Sequence, residues 1–207
     1  MSFTTTKCTT TRTKYYPQKI LALLVIIFTS AYLNTASAVT KTAVATGNWS
    51  AAATWSPSGV PASGDDVIIK GGFTVTVDGT YTCRNLNVGD ATASNATLTA
   101  NASGNLTITG DVQINPSNRS NTFTLDAGAG VVSINGTFSY WSTTGSNILR
   151  TNTGTLNITP AVTLAASNQA VTFAGAGTIN FYNNYTDSYN KLTTATSCTA
   201  NFFRNYT

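Results

Sequence analysis

Glutamate and histidine are missing from all 207 residues, methionine occurs once and cysteine three times. Only 9% of the chain is charged, against the ~25% usual for globular domains. Without histidine there can be no Ser-His-Asp triad and no histidine-ligated metal centre. Acid-base chemistry is left to seven aspartates. The helix formers Glu and Met are replaced by forty Thr and twenty-one Asn, residues that favour strands and turns. An all-β body is the expectation, with no cofactor and no bound metal.

The formal charge of +4 is unevenly placed. Lys7, Arg12, Lys14 and Lys19 precede residue 20, whereas after residue 38 seven cations face seven aspartates. A body of zero net charge lacks the cationic surface that binds phosphate backbones, which excludes nucleic acid as a partner.

Those four cations lead into ILALLVIIF (20–28) and then into small residues ending Ala36-Ser37-Ala38. This is the three-part pattern of a secretory signal, expected to form a helix and to be cleaved after Ala38. The apolar run is far shorter than the ~20 residues of a membrane span, so no stable span is expected after cleavage. The protein is expected to be secreted, or held at the cell surface. Cys83 and Cys198 then lie in an oxidising compartment. They are expected to stay unpaired, about five rungs apart in the architecture argued next.

One pattern recurs. GNLTITGDV (104–112), GVVSINGTF (130–138), GTLNITPAV (154–162) and GTINFYNNY (177–185) each begin with glycine and place apolar or aromatic residues third, fifth and ninth. The glycines are 26, 24 and 23 residues apart, and RNLNVGDAT (84–92) reads as an earlier copy with Arg84 in the glycine's place. Apolar and polar residues alternate within each copy, the period of a strand with one buried face. Clusters of Gly, Asn, Asp and Ser turn the chain between copies. Short strands, frequent corners and a repeat of 20 to 26 residues predict a parallel β-solenoid, each coil pairing with the coils above and below. Residues 39–66, with Trp49, Trp55, Pro57 and Pro61, read as an N-terminal cap. Residues 67–207 read as coils, ending in an aromatic strand that either closes the tube or leads into more of it.

Gly47, Trp49, Thr54, Trp55, Pro61, Gly64, Asp65, Val67 and Ile69, followed by Val75, Val77, Asp78 and Gly79, form a Gly-x-Trp, Thr-Trp, Pro-x-x-Gly-Asp-x-Val-x-Ile pattern. Over about forty residues this resembles the opening of exported repeat proteins of Bacteroidetes-type bacteria, similar in style to the eight-glycine domain of animal cell-surface proteins. The resemblance implies a right-handed β-helix, secreted or surface-attached, often the N-terminal part of an adhesin-like protein.

Three kinds of site suggest themselves. Asp65 and Asp66 are adjacent carboxylates, but neighbours on a strand point to opposite faces, so a turn role is expected rather than a metal pair. Asp90, Asp111 and Asp126 with Arg119 or Arg150 are the residues a polysaccharide lyase or hydrolase would have to gather; Asp90 and Asp111 follow equivalent glycines and could stack at one corner. Threonine pairs such as Thr107 and Thr109 raise ice binding, but the aligned positions hold Ser133 and Asn135, then Asn157 and Thr159, then Asn180 and Tyr182. Tyr140, Trp141, Tyr182 and Tyr185 could stack on sugars or on a partner protein, or else seal corners of the tube. The expectation is an adhesive or structural module that engages cell-surface or matrix carbohydrate or protein, without catalysis.

Overall fold

A computed structural model describes residues 37–140, 145–164, 171–187, 192–194 and 197–207. Residues 1–36 of the signal segment and Trp141 lie outside these residues. Within them the chain winds into a parallel β-solenoid of about six turns whose strands stack on three faces, with Val162–Leu164 and Tyr185–Asp187 paired in a further two-stranded sheet. The first face stacks Thr40–Ala43, Asp66–Ile69, Asn85–Val88, Val112–Ile114 and Phe138–Tyr140. The second runs from Gly47–Asn48 through Thr74–Val77, Ala96–Ala100, Thr122–Asp126, Ser146–Thr151 and Val171–Gly175 to Leu192–Thr194. The third stacks Thr80–Cys83, Asn105–Ile108, Val131–Ile134, Thr155–Ile158, Thr178–Phe181 and Thr199–Phe202.

Alternation in the sequence becomes columns in the tube. Leu86 stands over Val67 and under Val112, while Leu106, Val132, Leu156 and Ile179 form a second file, all buried. Each such side chain contributes roughly 1.5–3 kcal/mol by leaving water. Outward positions bond along the axis instead. Asn157 donates to Ser133, Asn180 to Asn157 at 3.0 Å and Asn201 to Asn180 at 2.9 Å, a ladder of amides on the third face.

The recurring glycine has a packing cause. At the entry to the third face the carbonyl of each glycine accepts from the residue after the next glycine, as in Val131 N–H to Gly104 and Thr155 N–H to Gly130. A Cβ on Gly130 would fall on the Gly104 oxygen, and one on Gly154 on the Gly130 oxygen.

Register corrects one reading of the repeat. Thr80 pairs with Asn105 and Cys83 with Ile108, so the first member of the glycine column is Gly79, not Arg84. The strand Asn85–Val88 belongs to the first face, where Leu86 sits opposite Val112. Only two residues separate Cys83 from Leu86, whereas three separate Ile108 from Val112, and this shorter corner hides the match.

Residues 40–56 form the N-terminal end. Thr40–Ala43 already forms the first parallel rung, and Trp55–Ser56 runs antiparallel along its outer edge. Trp49 and Trp55 are buried edge to face with centroids 5.0 Å apart, and Trp49 stacks on Tyr81 at 5.9 Å. Lys41 faces inward and its Nζ donates to the carbonyls of Pro57 and Ser58, both at 3.1 Å. At the other end aromatic rings stack rung on rung, Phe181 on Phe202 at 5.0 Å and Tyr185 on Tyr206 at 5.7 Å. Cys83 and Cys198, on the first and last coils of the third face, are both free.

Candidate functional site

Asp65, Asp66, Asp78, Asp90 and Asp126 have structural partners. Asp65 accepts from the backbone N–H groups of Val39 and Ala62, as expected of a turn residue. Asp78 accepts from the Ser50 N–H and hydroxyl and from the Tyr81 hydroxyl, tying the cap to the coils. Asp90 accepts from Gly71 and Thr92, and Asp126 from Gly128, Thr99 and Arg150. Asp66 is held by Arg84 through bonds of 2.8 and 2.6 Å.

The carboxylates that a lyase or hydrolase would have to gather do not come together. Asp90 follows the first-face strand Asn85–Val88, Asp111 precedes the first-face strand Val112–Ile114, and Asp126 ends a second-face strand. Asp90 and Asp111 therefore occupy opposite ends of one face rather than a single corner. Their apparent equivalence came from the misplaced copy at Arg84. Asp126 pairs with Arg150 at 2.8 Å, while the Arg119 N–H is bound to Asn115.

The aromatic candidates divide. Tyr140 and Tyr185 point into the tube, 2% and 1% exposed, so neither ring is open to a ligand. Both are residues of the apolar inward files, Tyr140 in register with Ile114. Burial pushes both phenols well above their ordinary pKa, Tyr140 with further help from Tyr185. Tyr182 is 44% exposed, but it lies flat against Phe203 at 5.0 Å with 5° between the planes, so one face is already taken. Threonines align better on the second face, in a rank Thr74, Thr97, Thr124, Thr172 and Thr193 broken by Ile148. The adjoining file carries the Asp126–Arg150 ion pair, which interrupts any regular lattice of hydroxyls.

A depression of about 260 Å³ lies on the outer side of the first face, and sequence reasoning missed it. Outward side chains of successive rungs line it: Thr40, then Asp66 with Ile68, Asn85 with Asn87, and Asp111 with Gln113. Asn85 fixes its centre, giving its Nδ2 proton to Asp66 at 2.8 Å and accepting the Asp111 N–H at 2.7 Å. The Asp111 carboxylate is exposed and accepts no hydrogen bond from the described residues. Planar amides and carboxylates held by neighbours suit pairs of ligand hydroxyls, because each presents two polar atoms in one plane. The missed signal was the run DVII, NLNV, DVQI, in which acids and amides occupy only outward places.

The Arg84 hydrogen bonds hold the Asp66 carboxyl below the usual carboxylate range, and burial opposes them only in part. For Asp78 and Asp90 burial pulls upward, yet hydrogen bonds from Ser50 and from Thr92 and Gly71 leave both lowered. A carboxyl lowered by folding adds stability that is complete above its unfolded pKa of ~3.9 and is lost as pH falls through the folded value. With no histidine, no side chain of ordinary pKa titrates between about pH 5 and 8. The melting temperature is expected to be level across that window and to fall below about pH 4. Calorimetry from pH 8 to 2 checks this, and a transition near pH 6 would contradict it.

Among the described residues no three His, Cys, Asp or Glu are grouped to hold a metal, and no helix is long and apolar enough to cross a membrane. Compared with known proteins, the chain matches no family model, no curated protein and no solved structure, so the fold and the groove rest on their own geometry.

Proposed function

We propose that this protein is an exported, non-catalytic adhesive module, a rigid β-solenoid that holds cell-surface or matrix glycans in the groove of its first face. The groove carries the reading. Its volume of about 260 Å³ is just under the ~300 Å³ of small-ligand pockets, room for one or two sugar rings at a time. The Asn85 amide and the Asp66 carboxylate at its centre are fixed by the Asn85 and Arg84 bonds before any ligand arrives, which lowers the entropy lost on binding. The signal-like segment 1–38 and the adhesin-like opening motif support an extracellular setting.

A hydrolase would draw on the same wall. Asp66 and Asp111 are two rungs apart, about 9.6 Å along the axis at ~4.8 Å per rung. That is close to the ~6.5–9.5 Å between the carboxyls of inverting glycosidases. Arg84, however, keeps Asp66 ionised and engaged by both oxygens, so it can neither hold a proton for a leaving group nor turn toward a water. Incubation with plant, bacterial and animal polysaccharides is expected to release no new reducing ends.

A glycan array probed with the purified protein, followed by calorimetric titration of the hits, tests the proposal. Dissociation constants of roughly 0.1–1 mM are expected, weak singly and additive when many copies share a surface. Asn87→Ala with Gln113→Ala is expected to weaken binding at least tenfold and leave the melting temperature within about 2 °C. Silence across the array, or binding that survives this double change, overturns the glycan reading.

A further inference from the structure

Resting on that reading, we infer that the groove takes an extended β-linked chain of amino sugars with free amines, laid along the solenoid axis with one ammonium on Asp111. Direction comes from the lining. Thr40, Asp66, Asn85 and Asp111 are neighbours on four successive rungs, so the groove runs along the stack for three intervals, about 14 Å at ~4.8 Å each. An extended β-linked hexose chain advances by about one rung per sugar, so consecutive rings meet consecutive strands. Two outward positions per strand set the width, and Ile68 gives one apolar patch for the C–H side of a ring.

Charge selects the sugar. Arg84 is spent on Asp66, and both polar ends of Asn85 are occupied. Asp111 remains as an exposed carboxylate with no partner, the one uncompensated charge of the lining. An ammonium donates to it in a charge-assisted bond, an N-acetyl group has no charge to offer, and an acidic sugar is repelled.

The test is calorimetric titration of the whole protein with β-1,4-linked oligomers of two to six sugars in three series: glucosamine, N-acetylglucosamine and glucose. Glucosamine oligomers are expected to bind about tenfold more tightly than the other two, with affinity rising to three or four sugars and then level. Half-molar salt is expected to remove most of that margin. Asp111→Asn breaks no side-chain bond, so the melting temperature stays within about 2 °C while the preference for the amine disappears, the glucosamine series falling to the affinity that the two neutral series show in the same variant. Equal affinity of the glucosamine and N-acetylglucosamine series, or a margin that persists in Asp111→Asn, overturns this inference alone. Failure of all three series to bind overturns the glycan reading beneath it.

Discussion

Alanine in place of Gly130 is expected to cost about 3 kcal/mol, because the added Cβ meets backbone rather than a side chain that could turn away. It would fall on the carbonyl oxygens of Gly104 and Asn101 in the coil beneath, groups fixed by their own pairing. Relief requires the two coils to part, and parting them breaks the bond from Val131 to Gly104. Gly79 supplies the control. It heads the same column, but the nearest atoms to a Cβ there belong to the Tyr81 ring, at 3.1 to 3.3 Å. Gly79→Ala is therefore expected to cost less than about 1 kcal/mol. Denaturant midpoints of the two variants, read by circular dichroism, check the difference. Equal losses would show that the column serves turn conformation and not the approach of coils.

Phe181→Ala is expected to cost about 3–5 kcal/mol, the usual penalty for an aromatic cavity in a packed interior. Phe181 is 0% exposed and touches three other rings, Phe173 at 5.4 Å, Tyr185 at 4.9 Å and Phe202 at 5.0 Å. Truncation strips all three contacts at once, each worth about 0.5–1.5 kcal/mol beyond the area buried. Because a solenoid is stabilised coil by coil, the loss concentrates in the coils nearest Phe181. In a Trp141→Phe background, denaturation followed by tyrosine signal and by the fluorescence of Trp49 and Trp55 is expected to split into two transitions, the tryptophans last. A single shared transition would mean that the coils melt as one unit. Phe181→Leu keeps most of the volume and is expected to cost under about 1.5 kcal/mol.

The architecture was legible because its cause is local and repeated. Period-two alternation reports a buried face in five residues, and the glycines reappear wherever one coil must approach another. Register of the first coil was not. Asn85-Leu86-Asn87-Val88 copies the polar-apolar order of Asn105-Leu106-Thr107-Ile108, and nothing in four residues says that the two lie on different faces. Tyr185 was readable after all, since the repeat itself put it at the ninth, inward place, where Val112 and Val162 stand. The groove required more. Asp66, Asn85 and Asp111 become neighbours only when three coils are aligned, and the shortened corner between Cys83 and Leu86 is what offsets that alignment.

Stacked coils whose upper and lower surfaces are alike turn chain length into a ruler. Each further repeat of 23 to 26 residues would move whatever is attached beyond it by one increment of ~4.8 Å and turn it by one small per-repeat rotation. Duplicating one interior copy would therefore change the reach of the groove from any anchor in discrete steps, leaving the groove itself untouched.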